Sequence, residues 1–298
     1  MASFAGQVAV VTGAGKGLGK AYALWLASQG CSVVVNNRGH AGAASSARAV
    51  ADEIIASGGR AIAHEAAIDQ REQAEDLIAC AERAFGGLDI LVCNAGVLST
   101  DRFADVAEDE LRRVVDTNIW GTVYPLAAAW PRLLERQYGR VVLSSSSAGL
   151  YGLAGSVIYG ASRSAIIGLG RSLAAEVPEG VDICVNIVMP FAYTPLTSKI
   201  TLAYMKDVIT PDMVAPVVGW LCSEDCRESG AILHAGGGRV TRARIVESRS
   251  AVVLGAEPSH WWTSIGDLGG APEARDAIEA GARMIQKSYR GRDPGQNA

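Results

Sequence analysis

Short, mostly β-branched apolar runs alternate along the chain with longer segments whose apolar residues recur at helical spacing. The runs are typical of strands buried on both faces, and they lie at 7–11, 32–35, 60–64, 89–93, 140–143, 181–188 and 231–234. The helical segments lie between them, at 20–30, 44–58, 70–86, 104–138, 159–173 and 212–226. Strands that alternate with helices predict an α/β fold, a single Rossmann-type doubly wound parallel sheet over residues 1–240. We expect the long helix at 104–138 to bend near Pro125 and Pro131.

Composition excludes several classes of function. The chain has 298 residues, of which 49% are hydrophobic and 19% charged, and its net charge is −4. It has no long basic run, which argues against nucleic acid or an anionic membrane as the main partner. The N-terminus lacks the pattern of a signal peptide and no 18-residue apolar stretch is present, so we expect a cytoplasmic protein. Six scattered cysteines predict core thiols, and four scattered histidines argue against a metal site.

The loop after the first predicted strand is rich in glycine. It reads Thr12-Gly13-Ala14-Gly15-Lys16-Gly17-Leu18-Gly19 and leads directly into a predicted helix. Glycines let the backbone turn tightly and approach a pyrophosphate, which binds the free N–H groups of a helix N-terminus. Because a second strand follows the helix, this order of elements predicts a dinucleotide site.

Tyr159 and Arg163 lie four residues apart in a predicted helix and therefore on one face of it. A fixed positive charge beside a phenol favours the phenolate, which suits Tyr159 for the role of general acid. Ser146, within the serine run 144–147, supplies a hydroxyl that can donate to a developing alkoxide. Taken alone, the pair is more typical of an aromatic ring under a guanidinium, and the serines are more typical of a polar loop.

Five motifs in their usual order make the chain resemble the short-chain dehydrogenase/reductase family over about residues 5–240. They are the glycine loop, Asn94-Ala95-Gly96, Asn118, the serine run and Tyr159. The resemblance implies an oxidoreductase with Ser146, Tyr159, Arg163 and Asn118 as catalytic residues, in which the asparagine holds a water of a proton relay. Three runs are most similar to the (3R)-hydroxyacyl-CoA dehydrogenase group, which includes a domain of the peroxisomal multifunctional enzyme type 2 and bacterial relatives.

The end of the second predicted strand selects the cofactor. An acidic residue there would bond the ribose hydroxyls of NAD, whereas a basic one accommodates the extra phosphate of NADP. This chain has Asn36-Asn37-Arg38 there and Lys16 in the glycine loop, so we expect NADP(H) rather than NAD(H). The alternative is that Lys16 and Arg38 are solvated surface charges.

The resemblance also implies the cofactor contacts residue by residue. The residues 94–96 would approach the adenosine ribose, and Asp69 would accept a hydrogen bond from the adenine amino group, although Asp69 is equally suited to capping the next helix. The full predicted set is Thr12, Gly13, Gly15, Lys16, Gly17, Leu18, Gly19, Asn37, Arg38, Asp69, Asn94, Ala95, Gly96, Tyr159, Arg163, Pro190 and Thr194.

The chain departs from the family pattern at three positions. Arg163 stands where the family has lysine; arginine can bond the nicotinamide ribose and favour the phenolate, but it cannot release a proton at ordinary pH. Asn37 stands where the hydroxyacyl-CoA group has an acidic residue. Phe191 replaces a glycine after Pro190, and Thr194 lies one residue short of the usual threonine that holds the carboxamide.

Two segments beyond these motifs bear on the substrate. Residues 195–210 contain Leu196, Ile200, Leu202, Tyr204 and Met205, which predict either an apolar lid over the substrate or a core helix. Residues 241–298 form a predicted extension with strands at 242–247 and 250–254, the pair Trp261-Trp262 and a helix at about 272–289. By resemblance the extension packs near the substrate pocket or at a subunit interface.

Three functions therefore remain open from the sequence. The preferred one is an NADPH-dependent reductase of an apolar carbonyl substrate, forming a homodimer or homotetramer. The second is a 3-hydroxyacyl-CoA or hydroxysteroid dehydrogenase. The third is a catalytically silent dinucleotide-binding subunit, which the arginine at 163 motivates.

Overall fold

The computed structural model describes residues 4–39, 42–198 and 201–247. Within these ranges eight strands form one sheet: β1 Val8–Val11, β2 Ser32–Asn36, β3 Arg60–His64, β4 Ile90–Cys93, β5 Tyr138–Ser144, β6 Asp182–Phe191, β7 Ile232–Gly236 and β8 Arg239–Ala243. Their order across the sheet is β3-β2-β1-β4-β5-β6-β7-β8, and β1 to β7 run parallel. The winding reverses between β1 and β4, so a crevice opens at the carboxyl ends of these strands. The predicted Rossmann-type sheet is confirmed.

Helices cover both faces of this sheet. In the described residues they are α1 Gly17–Ser28, α2 Ser46–Ala56, α3 Arg71–Phe85, α4 Glu108–Val115, α5 Gly121–Arg136, α6 Ser147–Tyr151, α7 Val157–Glu176 and α8 Ala215–Cys222. Side chains of α1, α2 and α8 pack in one buried cluster with Val33 and Val35, while α3, α5 and α7 pack in another with Val34. Because successive strand residues face opposite layers, the three valines at 33–35 of β2 are buried on both sides of the sheet.

The segment predicted as one helix over 104–138 differs in two respects. Helix begins only at Glu108, and between α4 and α5 lies a π-helical turn, Asp116–Trp120, in which Gly121 N–H donates to the carbonyl of Asp116 five residues back. Pro125 and Pro131 both lie inside α5. Such a turn carries one extra residue and re-aims the side chains within it, here including Asn118.

Two predicted elements near the end of the sheet were placed wrongly. The helix expected over 212–226 is a 3₁₀ turn at Pro211–Met213 followed by α8, because Pro216 lacks an N–H and fits only a first helical turn. The strand expected at 242–247 lies earlier, as β8. Gly237 and Gly238 both have positive φ and connect it to β7 by a two-residue hairpin turn.

The chain divides into two compact units, residues 1–242 and 243–298, and of the second the structure describes residues 243–247. The strand predicted at 250–254, the tryptophan pair and the helix at 272–289 lie outside the described residues, so the extension stays a prediction. Among the residues described, no helix has the length and apolar character to cross a bilayer. All six cysteines are free thiols and five are buried, as predicted for core positions.

Candidate active site

A cavity of about 630 Å³ lies at the carboxyl ends of the parallel strands. The segments that follow β1, β2, β3, β4, β5 and β6 all contribute to its wall. Of the predicted site residues, it is lined by Gly13, Lys16, Gly17, Leu18, Asn37, Arg38, Asn94, Ala95, Gly96, Ser146, Tyr159, Arg163, Pro190 and Thr194. Thr12, Gly15, Gly19, Asp69 and Asn118 do not line it.

The glycine loop is shaped by contact with the loop after β4. A Cβ atom at Gly13, where φ is 64°, would lie 2.7 Å from Cα of Ala95, and one at Gly19 would lie 2.3 Å from the carbonyl oxygen of Gly13. Thr12 Oγ1 accepts hydrogen bonds from the N–H groups of Asn94 and Ala95 at 3.0 and 3.2 Å. Thr12 and Gly19 therefore act on the shape of the loop from behind the cavity wall.

Lys16 precedes the first turn of α1, and that turn contains no acidic residue. The free N–H groups and the positive end of the helix dipole face a cavity to which Lys16, Gly17 and Leu18 contribute. Gly15 lies behind them, where a Cβ atom would come within 2.3 Å of Ser46 Oγ. The arrangement fits the pyrophosphate of a dinucleotide.

The end of β2 carries polar and basic groups into the same cavity. Asn37 Nδ2 donates to Ser46 Oγ at 2.9 Å, and Arg38 Nη2 forms an ion pair with Asp69 Oδ2. Asp69 therefore contacts Arg38 and stands behind it relative to the cavity, and its predicted bond to the adenine amino group stays a prediction. The floor next to Arg38 is apolar, formed by Ala66 and Ile68.

Ser146, Tyr159 and Arg163 all line the cavity. Ser146 is the N-cap of α6, and its Oγ accepts from Ala148 N–H at 3.2 Å, which leaves the hydroxyl hydrogen available to donate. Tyr159 lies in the first turn of α7, and the Cζ atom of Arg163 is 5.4 Å from the centre of its ring. The ring therefore lies beside the guanidinium and also lines the cavity, and its catalytic role stays a prediction.

Arg163 is 3% exposed and is held from several sides. Its Nη1 donates to the carbonyl of Ser144 at 3.0 Å, and its Nη2 lies 3.5 Å from Asn118 Oδ1. Ser145 Oγ fixes the backbone by donating to the Arg163 carbonyl at 2.8 Å. A Cβ atom at residue 96 would lie 1.8 Å from Nη2, so only glycine leaves room for the guanidinium.

Asn118 is fully buried in the π-helical turn. Its Oδ1 accepts from Val97 N–H at 2.8 Å, and its Nδ2 donates to the Val97 carbonyl and to Ser162 Oγ, both at 3.0 Å. The side-chain amide is thereby committed to protein groups. Its contacts position Arg163 and the Val97 backbone, whereas the water-holding role inferred from the resemblance stays a prediction.

The end of β6 and the segment that follows it form the remaining side of the cavity. Pro190 and Thr194 line the cavity, and Thr194 is buried, with its N–H donating to Thr197 Oγ1 at 2.9 Å. Phe191 and Leu196 also line it while remaining exposed. Leu202, Tyr204 and Met205 lie outside the cavity lining, and Ile200 lies outside the described residues.

Several lining residues carry no sequence signal of their own. Thr117 lines the cavity from its position in the π-helical turn, and Ser145 is one of four consecutive serines. The others are apolar residues that no periodicity separates from core positions, namely Ala66, Ile68, Val97, Leu98 and Leu153. Position after a parallel strand is the one feature that could have indicated most of them.

A glycine loop at the switch point of the sheet, together with a serine, a tyrosine and a guanidinium in one cavity, defines a Rossmann-type nicotinamide-dinucleotide oxidoreductase. Comparison with known proteins identifies the family. Residues 7–204 match the sequence profile described as short chain dehydrogenase. The chain therefore belongs to the short-chain dehydrogenase family, and the predicted resemblance is confirmed.

Individual relatives agree with this assignment. A short-chain type dehydrogenase/reductase of Mycobacterium tuberculosis is 38% identical over 275 residues, which cover 89% of this chain and 96% of the relative. The peroxisomal multifunctional enzyme type 2 of Drosophila melanogaster is 34% identical over 94% of this chain. The full-length structure of that fly enzyme superposes with a TM-score of 0.81 at 29% identity, covering 98% of this chain. The chain spans about half the length of the fly enzyme, 48% in sequence and 51% in structure.

Proposed function

We propose that the chain is an NADPH-dependent reductase that converts the carbonyl group of an apolar substrate into an alcohol, reversibly. The observation that carries the proposal is the convergence of Ser146, Tyr159 and Arg163 in the cavity that also receives the glycine loop and Arg38. A hydride acceptor, its proton donor and the dinucleotide would then meet in one enclosed space.

The side chains divide the chemistry between them. The nicotinamide, when bound, supplies the hydride. Tyr159 Oη donates the proton to the carbonyl oxygen, and Ser146 Oγ donates a hydrogen bond to the same oxygen as negative charge develops there. Arg163 holds its charge beside Tyr159 and presents its remaining donors to the nicotinamide ribose.

The arginine changes how the tyrosine regains its proton. A guanidinium stays charged at any ordinary pH, so Arg163 cannot pass a proton from solvent to Tyr159. Reprotonation through a ribose hydroxyl or a water is the remaining route. We therefore expect reduction to proceed, at a lower rate than a lysine at this position would support.

The preference for NADP(H) is inferred from charge at the adenosine end. Arg38 and Lys16 both line the cavity, and β2 ends at Asn36 and is followed by Asn37, where an NAD-binding site would place a carboxylate. The apolar substrate is inferred from Leu153, Phe191 and Leu196, which line the cavity and remain exposed at its opening.

Fluorescence titration of the purified chain with NADPH, followed by a panel of ketones, tests the proposal. We expect NADPH to bind and to be oxidised on at least one apolar ketone. In the control variant Tyr159→Phe, binding should survive and oxidation should fall by a factor of about 100 or more. Binding without oxidation on any ketone would favour the silent dinucleotide-binding subunit, which the arginine at 163 motivates.

A second candidate function is a 3-hydroxyacyl-CoA or hydroxysteroid dehydrogenase. The similarity to the peroxisomal multifunctional enzyme type 2 favours it, since it extends over nearly the whole chain. The ketone panel should therefore include a 3-oxoacyl-CoA and a 3-ketosteroid. If the chain reduces only one of these two compounds, the proposed substrate class narrows from apolar carbonyl compounds to that compound.

A further inference from the structure

We propose that Asp69 sets how strongly the protein prefers NADP(H) over NAD(H), by competing with the 2′-phosphate of NADP(H) for the guanidinium of Arg38. The inference rests on the proposed binding of NADP(H). It assigns to Asp69 a role in cofactor specificity that acts through another residue.

The two side chains of the ion pair differ in their exposure to solvent. The Asp69 side chain is 10% exposed, whereas that of Arg38 is 45% exposed. Asp69 follows the buried Ile68 and precedes Gln70, the N-cap of α3, so its carboxylate belongs to a packed junction. A largely buried carboxylate is costly to leave without a partner, and Asp69 therefore retains Arg38.

The backbone around Arg38 is fixed on both sides. Asn37 N–H donates to the His64 carbonyl at 3.2 Å, and Gly39 N–H donates to the Glu65 carbonyl at 3.3 Å. Arg38 can therefore change partners only by turning its side chain. Either it stays with Asp69 or it turns further into the cavity that it lines.

A 2′-phosphate next to Arg38 would meet Asp69 as a competitor. The phosphate carries a charge of about −1.5 to −2 at pH 7 and binds guanidinium by charge-assisted hydrogen bonds. Asp69 holds the same guanidinium and adds a like charge behind it. NAD(H), which lacks this phosphate, leaves the ion pair undisturbed.

The alternative role of Asp69, accepting from the adenine amino group, gives a different expectation. Adenine is common to both dinucleotides, so loss of that bond would weaken both by the same factor. The ratio of the two affinities separates the roles, because only the competition for Arg38 depends on the 2′-phosphate.

The test uses 2′,5′-ADP and 5′-AMP as probes, since they differ in the 2′-phosphate. Calorimetric titration of the full chain at fixed pH and ionic strength gives the ratio of the two dissociation constants. In Asp69→Asn we expect the preference for 2′,5′-ADP to rise roughly two- to fivefold, the range of a partly exposed ion pair. The same substitution in an Arg38→Ala background should leave the ratio unchanged.

The control variant is Glu75→Gln, which removes an acid that pairs with Arg71 on α3. It should leave the ratio unchanged, and equal melting temperatures of all variants would show that they fold. An unchanged ratio in Asp69→Asn, or an equal loss for both probes, overturns the proposal. If the wild-type chain shows no preference for 2′,5′-ADP while Asp69→Asn creates one, the NADP(H) assignment fails and the role of Asp69 stands.

Discussion

Replacing Gly96 by alanine should displace the guanidinium of Arg163. The new Cβ atom would lie 1.8 Å from Nη2 and 2.9 Å from Cζ of Arg163, and 3.0 Å from Asn118 Oδ1. The guanidinium ends a flexible side chain and moves more easily than the backbone does. The substitution therefore displaces the Arg163 guanidinium directly while leaving its charge in place.

The magnitude follows from the contacts that the movement breaks. The bond from Nη1 to the Ser144 carbonyl, at 3.0 Å, is one from a charged donor and contributes about 1.5–3 kcal/mol. The contact to Asn118 Oδ1, at 3.5 Å, adds little. We expect Gly96→Ala to lower the free energy of unfolding by about 1.5–3 kcal/mol, in line with overpacking elsewhere.

Urea unfolding at fixed protein concentration measures this loss, and a double-mutant cycle identifies its cause. Lysine at 163 lacks Nη2, so the cost of Gly96→Ala should fall by about 1 kcal/mol or more in an Arg163→Lys background. The control is Gly168→Ala, in the interior of α7, where a Cβ atom meets nothing within 4 Å and should add up to about 1 kcal/mol of stability. An equal cost in both backgrounds, within about 0.5 kcal/mol, would refute the reasoning.

Four further outcomes are expected. Arg163→Lys should raise turnover with any ketone that the wild-type chain reduces, and no hydride transfer in either form would contradict an enzymatic role. Arg38→Asp should shift the kinetic preference from NADPH toward NADH, and a preference that survives both this change and Lys16→Ala would contradict the cofactor assignment. Rapid thiol labelling of the native protein should be confined to Cys80, the one cysteine that is not buried, and labelling that persists in Cys80→Ser would show otherwise. Burial raises the pKa of Tyr138 to about 12, so the stability that Tyr138 contributes below about pH 10 should be lost as the pH rises through 12, and Tyr138→Phe should flatten that loss in melting temperature.

The strands were predictable because burial on both faces leaves an uninterrupted apolar run. In β1 and β2 every residue is buried, and their predicted positions differ from the observed ones by one residue at an end. Helix ends were less predictable, since apolar spacing does not show where hydrogen bonding stops. The amino-acid composition of the π-helical turn at Asp116–Trp120 does not distinguish it from an α-helix. The turn lies where Asn118 hydrogen-bonds the Val97 backbone in a separate loop.

The site was predictable where a motif carries its own mechanism. Ser146, Tyr159 and Arg163 follow from such motifs, and the structure brings them into one cavity. The pairing of Arg38 with Asp69 was not foreseen. The two residues are 31 positions apart, and each had been assigned a different part of the cofactor, so only the parallel pairing of β2 with β3 brings them together.

A lysine at position 163 would combine a positive charge with the ability to exchange a proton, and Arg163 has only the first of these properties. The charge remains, and among the described residues its hydrogen-bond partners are the uncharged oxygens of Ser144 and Asn118. The guanidinium lies beside the ring of Tyr159, with its Cζ atom 5.4 Å from the ring centre. Proton exchange is lost, because a guanidinium cannot ionise and its position is fixed under Gly96. In the proposed mechanism, Arg163 keeps a positive charge beside Tyr159 but has no proton to release, so we expect the rate of reprotonation of Tyr159 to limit turnover.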